Sequence, residues 1–274
     1  MTGQSAASWA SPALADPRFH ELDGGSRCLE RPEPGEVFSS LAMHWYHGGC
    51  PYPELGSRRR EILTGLLLGD GSIPEVPGNR SFRLPMINRR FLEWFDEQMG
   101  CLTTGVRPVH TAAELAESNR ESGFSPTAEA ENYHDTYVVR TRAHPYFNEL
   151  RSWYDSGQKR FPDDLALTPE RVKFWYVSDG YLDIGRWGRP RIEIKARNES
   201  DRPDFLVSLF RDVGFNPVFK RHELRFSCDD TEALVEWMGD PPAGFEYKWA
   251  IDSRERYRML KERAYEEHTT RTIE

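Results

Sequence analysis

The sequence lacks any apolar run long enough to cross a membrane. The longest, Ile62 to Leu68, is far shorter than the roughly 20 residues that a spanning helix needs. The first residues also lack the basic start and apolar core of a secretory signal. We therefore expect a cytoplasmic protein without a membrane contact.

Cysteine is scarce as well. The four cysteines are far apart and form no CxxC pair, which excludes a disulfide framework and favours idle thiols in a reducing compartment. One group of metal-ligating residue types remains at His44, His47 and Cys50. A structural zinc site needs four ligands and only three are close together here, which favours a packed turn. A zinc-dependent regulator stays open as an alternative.

Positive charge is in deficit, since 44 Asp and Glu outnumber 36 Lys and Arg and the net charge is -8. A phosphate-rich partner usually requires a basic surface, so this total argues against one. The deficit is local, however. Residues 1–57 carry 3 basic and 7 acidic side chains, and residues 111–135 carry 1 and 6. The rest of the chain is slightly basic and can still present a basic face.

The first periodic segment is a helix that begins near Ser57 and runs to Asp70. Before it, residues 1–57 are rich in Pro, Gly, Ser and Ala, which predicts a flexible or loosely structured lead-in. Apolar residues go nearly all the way round the helix, so we expect it to be buried, with Ser57 as its cap. Gly65 and Gly69 share one face and would allow another backbone to approach closely.

The pattern after this helix occurs twice. In the first copy we expect a strand over Arg80–Met86, a helix over Asn88–Met99, strands near Val106 and over Tyr133–Thr141, and a helix over His144–Tyr154. In the second we expect a helix over Thr168–Asp179, strands over Arg189–Arg197 and Val218–Ser227, and helices over Phe205–Val213 and Thr231–Met238. The offset of 109 residues between the ends of the two leading helices fits a duplicated α+β unit.

Two short segments carry a resemblance to a known family. Leu63 to Gly71 resembles the LAGLIDADG signature and matches it at Leu63, Gly65, Leu66, Asp70 and Gly71. Val172 to Gly180 is similar to the second motif of one branch of that family. Lys-Arg-Phe-Pro at 159–162, Leu-Thr-Pro at 167–169 and Phe-Glu-Tyr-Lys at 245–248 fit the same branch. The resemblance covers about residues 58–249 in the family's motif order.

This resemblance implies a single-chain homing endonuclease that cuts double-stranded DNA at a specific site and acts as a monomer. It implies an α+β fold in which two pseudo-symmetric αββαββα repeats, residues 58–165 and 166–249, form a saddle with a concave β-sheet face for DNA. Residues 250–274 are then a charged C-terminal helix or tail.

The chemistry can also be argued from Asp70 and Asp179, which end the two similar helices. Helices packed through small residues bring these carboxylates together, and two like charges are stable there only with cations between them. Mg²⁺ suits carboxylate, water and phosphate oxygens, and paired ions can activate water and stabilise the leaving oxygen. We include the neighbouring Gly69 and Ser178 in the candidate metal site. An Asp-Gly at a helix end is usually only a turn, but two matching copies favour metal ligands.

Further site residues follow from the family pattern. It implies a polar and a basic residue near each aspartate that order the attacking water, and by position we assign Asn88 and Asn198 as polar and His144 or Lys195 as basic. A histidine at a helix start is more often a cap. The outward strand faces supply candidate DNA contacts, namely Arg83, Arg140, Arg142, Arg189, Arg191, Lys195, Arg197, Arg221 and Arg225. For any one of these residues an ordinary solvated sheet face is the alternative.

One departure and two alternatives remain. Phe174 stands where the first motif has Gly65, so the helix pair cannot be symmetric and the ring must pack against the small side of the first helix. A catalytically inactive LAGLIDADG-like DNA-binding or RNA-splicing (maturase) protein is disfavoured because both aspartates are present. An excised protein-splicing element is disfavoured because the sequence has no nucleophile at its start and no His-Asn at its end.

Overall fold

The computed structural model describes residues 19–21, 27–29, 55–75, 80–185 and 188–270, with side chains from Leu55 to Tyr265 apart from Cys101 and the two gaps. Strands β1 (Phe19–Glu21) and β2 (Arg27–Leu29) pair antiparallel. The candidate zinc ligands His44, His47 and Cys50 lie outside the described residues. No helix in the described ranges is both long and apolar enough to traverse a bilayer.

The first half contains a three-stranded antiparallel sheet in the order β3-β5-β4. Its elements are α1 (Ser57–Leu68), β3 (Arg83–Met86), α2 (Arg89–Met99), β4 (Thr103–His110), α3 (Ala112–Glu121), β5 (Thr136–Thr141) and α4 (Pro145–Leu150). A strand after α1 is reduced to a single antiparallel bridge between Ser72 and Arg83. A short hairpin, β6 (Tyr154–Asp155) and β7 (Gln158–Lys159), leads to the second half.

The second half contains a four-stranded antiparallel sheet in the order β10-β11-β9-β8. Its elements are α5 (Pro169–Asp179), β8 (Gly180–Ile184), β9 (Pro190–Lys195), α6 (Pro203–Arg211), β10 (Val218–Lys220), β11 (Glu223–Arg225) and α7 (Cys228–Met238). Helix α8 (Arg254–Thr270) follows. The predicted α+β class with antiparallel sheets is therefore confirmed.

Three local predictions were wrong. Ser57 is the first helical residue of α1, and Gly56 occupies the cap position without a side-chain hydrogen bond. The acidic segment 111–135 contains a helix where none was expected, because Thr111 and Glu114 form a capping box that starts α3. Segment 218–227 is a hairpin and not one strand. Arg221 and His222 form its turn, with φ values of 53° and 68°.

The core consists of two hydrophobic clusters that meet along α1 and α5. Every α1 residue from Ile62 to Leu68 is buried, as the all-round apolar pattern predicts. Leu68 of α1 belongs to the second cluster, whereas Phe174 of α5 belongs to the first. Each helix therefore contributes to the other half's core, which fixes the position of one helix end against the other.

Small residues make this helix contact close. A Cβ atom placed on Gly65 would lie 2.6 Å from the carbonyl oxygen of Arg171 and 2.8 Å from Cβ of Phe174. The ring of Phe174 turns into the first cluster and stacks on Trp94 with 5.5 Å between ring centroids. The predicted packing of Phe174 against the small side of α1 is confirmed, and no larger residue fits at Gly65 without moving a helix.

Candidate catalytic centre and candidate nucleic-acid interface

Asp70 and Asp179 lie at adjacent ends of the packed helices. A Cβ atom on Gly69 would be 3.4 Å from Oδ2 of Asp179, so this carboxylate lies against the residue that precedes Asp70. Burial and the charge of Asp70 together raise the pKa of Asp179 to about 6. Asp70 is exposed to solvent, yet desolvation still raises its pKa, against the lowering effect of nearby lysines.

Two lysines hold the ends of the aspartate helices. The ammonium of Lys159 donates hydrogen bonds to the carbonyl oxygens of Gly69 and Gly71, the residues on either side of Asp70. The ammonium of Lys248 donates to the carbonyl oxygens of Tyr176 (3.0 Å), Val177 (2.7 Å) and Gly180 (2.5 Å) at the end of α5. A cation at a helix C-terminus stabilises the carbonyls that have no partner within the helix.

These lysines are also electrostatic partners of the carboxylates. Burial lowers the pKa of Lys159 to about 8 and that of Lys248 to about 7, although Asp70 and Asp179 act to raise both values. Lys195 is exposed at the end of β9 and lowers the pKa of both aspartates. Half of the six lysines in the chain therefore surround two carboxylates.

The sequence prediction of the basic residues was incomplete. Lys195 was predicted and lies near the aspartates, but Lys159 and Lys248 were not assigned to the site. Their signal was present, since each belongs to a motif segment that carries the family resemblance, and lysine is rare in this chain.

Two clefts flank the aspartates. The first cleft, of about 770 Å³, is lined by Asp70, Lys159, Arg160, Arg197 and Asn198, among others. The second cleft, of about 390 Å³, is lined by Asp70, Asn88, Tyr181, Lys248 and the inner face of α8, among others. A smaller cavity of about 230 Å³ brings Asp179, Lys195 and Asn198 together. The structure thus gathers both aspartates, both asparagines and Lys195 around one centre.

The remaining site candidates have structural partners of their own. Asn88 is buried, caps α2 by accepting from the backbone of Phe91 (3.0 Å), and donates to the carbonyl oxygen of Gly244 (2.6 Å). Ser178 donates to the carbonyl oxygen of Phe174 (3.1 Å). The Gly69 carbonyl accepts from Lys159.

His144 lies at the start of α4, where its Nδ1 accepts from the backbone N–H of Tyr146 at 3.1 Å. The imidazole is buried and packs edge-on against Phe147. It is not among the groups that act on the pKa of either aspartate. The structure therefore gives His144 the role of a helix cap, and Lys159 and Lys248 lie where a basic residue of the centre was expected.

Arginines without acidic partners lie on the outward face of the first sheet. Arg83 on β3 and Arg140 on β5 are directly opposite each other in the strand register. Neither these two nor Arg107 on β4 forms an ion pair within the described ranges. Like charges directly opposite in a sheet are destabilising, so this face is suited to an anion.

The outward face of the second sheet is different because its charges are already paired. Arg225 contacts Glu193 at 3.4 Å and Glu223 at 2.9 Å, and the hydroxyl of Tyr181 donates to Glu193. Glu193 is on the predicted face but is buried beneath these partners. The other predicted contacts on this half, Arg189, Arg191, Lys195, Arg197 and Arg221, are exposed.

The prediction that Arg142 contacts DNA was wrong. Arg142 was predicted to lie on the outward face because it is two residues after Arg140 in a strand pattern, but the residue is only 2% exposed. Strand β5 ends at Thr141, so the alternation does not extend to Arg142. Its backbone N–H donates to the carbonyl oxygen of Leu102, and the residue belongs to the interior.

Comparisons with known proteins agree with this architecture. An uncharacterized protein of Methanocaldococcus jannaschii is 32% identical over 178 residues, which cover 61% of this chain and 61% of that protein. The chain thus spans about three fifths of this relative's length. The structure of the homing endonuclease I-WcaI bound to its DNA recognition sequence matches with a TM-score of 0.56 and 14% identity, over 75% of this chain and 88% of that one, which shows the fold. A model of the LAGLIDADG DNA endonuclease family matches residues 60–227, more than half of the chain and both aspartates, and this chain belongs to that family.

Proposed function

We propose that this protein is a site-specific endonuclease that hydrolyses both strands of double-stranded DNA, with divalent metal ions held by Asp70 and Asp179. The observation that carries the proposal is the pair of carboxylates at adjacent helix ends, with three lysines around them. The raised pKa of Asp179 fits this role, because a cation between the carboxylates would relieve the repulsion that raises it.

The donor set fits a hard cation such as Mg²⁺. Within the described ranges no group of three or more His, Cys, Asp or Glu side chains is placed to hold a metal. Two carboxylates would leave most positions to water and phosphate oxygens, which is how Mg²⁺ is usually bound beside a phosphate substrate. When bound, such ions supply an activated water and stabilise the leaving oxygen.

The protein's own groups do the rest. Lys159 and Lys248 fix the carbonyls around each aspartate, so the two carboxylates keep their positions when a phosphate approaches. Their positive charge, with that of Lys195, stabilises the extra negative charge that develops on the phosphate during attack. Asn198 is exposed between the first cleft and the small cavity, where its amide can orient a water molecule.

DNA would lie across the outward faces of the two sheets. Arg83, Arg107 and Arg140 can neutralise phosphates or read guanine on one half, since none of them forms an ion pair with a carboxylate of the described ranges. Arg189, Arg191 and Arg197 are exposed on the other half. The structural neighbour I-WcaI binds its DNA recognition sequence, which supports this proposal, and a basic face on these strands would allow a chain with an overall negative charge to bind DNA.

A DNA-binding or RNA-splicing protein that no longer cuts is the second candidate. The same fold and the same arginines would serve it, but it would have no use for two desolvated carboxylates beside each other. Keeping this pair costs stability at neutral pH in the absence of metal. We therefore favour the nuclease.

The test uses a plasmid library with a randomised site. Purified protein is incubated with the library and Mg²⁺, and the ends of linearised molecules are sequenced. We expect ends that converge on one target, and none with the double variant Asp70→Asn/Asp179→Asn. Recovery of a specifically bound but uncut duplex from the wild-type protein would instead support the inactive DNA-binding protein.

A further inference from the structure

The two clefts beside the aspartates are not equivalent. Each contains Asp70, one helix-end lysine and one asparagine, but only the second cleft is covered by α8. Residues Tyr257, Lys261, Ala264 and Tyr265 form one stripe along α8 and line that cleft. Helix α8 lies beyond residues 60–227, the part of the chain that the family model matches.

Lys261 is the unusual member of this stripe. Its ammonium lies 5.7 Å from the ring centroid of Tyr257 and 5.9 Å from that of Tyr265. No carboxylate in the described part of the chain forms an ion pair with it. It is close enough to Lys248 to contribute to the lowered pKa of that residue. Two ammonium groups at one cavity repel each other, and an anion between them would be stabilised by both.

The residues that line the second cleft indicate which kind of molecule carries the anion. Polar groups come from Asp70, Asn88, Lys248 and Lys261, and tyrosine rings come from Tyr181, Tyr247, Tyr257 and Tyr265. A volume of about 390 Å³ is in the range of small-ligand sites and can take a phosphate with its sugar. The lysine ammonium groups can bind a phosphate while the tyrosine rings pack against the rest of the nucleotide. This combination suits a nucleic-acid backbone.

We propose that Lys261 binds a backbone phosphate of one DNA strand only, in the second cleft, and that the two strands are therefore cut at unequal rates. The inference rests on the proposed nuclease function. Among the described residues no helix lines the first cleft as α8 lines the second, so the strand that passes Lys159 lacks this contact.

The test compares Lys261→Gln with Arg258→Gln, which removes the same charge from the exposed side of α8. The duplex recovered from the randomised library is labelled on each strand in turn, and single-turnover cutting is followed on both. We expect Lys261→Gln to slow one strand at least about fivefold, so that nicked product accumulates, and Lys261→Arg to restore most of the rate. Arg258→Gln should change neither strand by more than about twofold. Equal slowing of both strands, or no change with Lys261→Gln, would overturn the proposal.

Hydroxyl-radical footprinting in Ca²⁺ reads the same contact without cleavage. Wild type should protect a short backbone segment on one strand that Lys261→Gln leaves unprotected. A wild type that binds but does not cut would refute the nuclease function while this footprint still decides the role of Lys261. Unchanged protection in Lys261→Gln, or a wild type that binds no DNA, refutes the contact.

Discussion

Burial and the nearby carboxylate of Asp70 together raise the pKa of Asp179 to about 6. A carboxyl group with a raised pKa binds its proton more tightly in the folded state than in the unfolded chain. Its contribution to stability is therefore present at low pH and is lost as pH rises through about 6. Lys159 and Lys248 act in the opposite sense. Their lowered pKa values, about 8 and about 7, make the folded protein more stable as pH rises from about 7 towards the ordinary lysine value.

We predict that Asp179→Asn stabilises the metal-free protein at pH 8, by about 1–2 kcal/mol, because the amide removes a charge held beside Asp70. Urea denaturation at pH 8 and at pH 5 measures the effect. The gain should shrink at pH 5, where the wild-type carboxyl is largely protonated. Asp212→Asn, at an exposed position after α6, serves as the control. An equal effect of Asp179→Asn at both pH values would contradict the assigned pKa.

Lys248→Met should destabilise the protein by about 2–4 kcal/mol, since three buried carbonyl oxygens at the end of α5 lose the ammonium that donates to them, although the carbonyl of Tyr176 keeps the backbone N–H of Gly180. Lys220→Met, at an exposed position on β10, should cost less than about 0.5 kcal/mol. Chemical denaturation of both variants is the measurement. A loss no larger than that of the control would show that Lys248 does not hold the helix end.

The contact between α1 and α5 predicts a strong effect at a small residue. Gly65→Ala should destabilise by about 2 kcal/mol despite the better helix propensity of alanine, because the new methyl group would lie 2.6 Å from the carbonyl oxygen of Arg171. Gly56→Ala is the matched control, since, apart from its chain neighbours, no atom of the described residues lies within 4 Å of its Cβ position. Thermal unfolding compares them, and similar midpoints for the two variants would mean that the helices are not in close contact.

The two sheet faces predict different effects of arginine on DNA affinity. Arg140→Gln should lower the slope of log affinity against log salt by about 1, because Arg140 forms no ion pair with any described residue and can neutralise a phosphate. Arg225→Gln should change the slope much less, since Arg225 is already paired with Glu193 and Glu223. Fluorescence anisotropy across a salt series measures both slopes. The reverse order would assign the phosphate contacts to the second sheet.

Local periodicity in the sequence was sufficient to predict the buried α1, the helix that starts at Thr168 and the positions of both aspartates at or near the helix ends. These features depend on residues within one or two turns of each other. Local periodicity could not predict the contact of Lys159, because its partner Gly69 is 90 residues away along the chain. Such contacts are set by tertiary packing and leave no periodic trace.

The assignments of Arg142 and Asn88 show the same limit of local sequence patterns. Arg142 continues the alternation of β5 in sequence, but the strand has already ended, and the side chain turns inward. Asn88 was assigned to catalysis from its position; it lines the second cleft with Asp70 but also caps α2 and bonds Gly244, so its catalytic role stays a prediction. The Asn before a helical run was a capping signal that could have been recognised. Predictions from one side chain's place in a pattern were less secure than predictions from a repeated motif.

Single-turnover cleavage by Asp70→Asn and by Asp179→Asn measures whether the two aspartates hold the catalytic metal ions. The substrate is the duplex recovered from the randomised library, with Mg²⁺ in excess and DNA affinity measured in parallel. If both aspartates hold the catalytic metal ions, each variant should lose cutting of both strands by at least about 1,000-fold while binding DNA as tightly as wild type or more tightly. Cutting by either variant within about tenfold of the wild-type rate would show that this aspartate does not hold a catalytic metal ion.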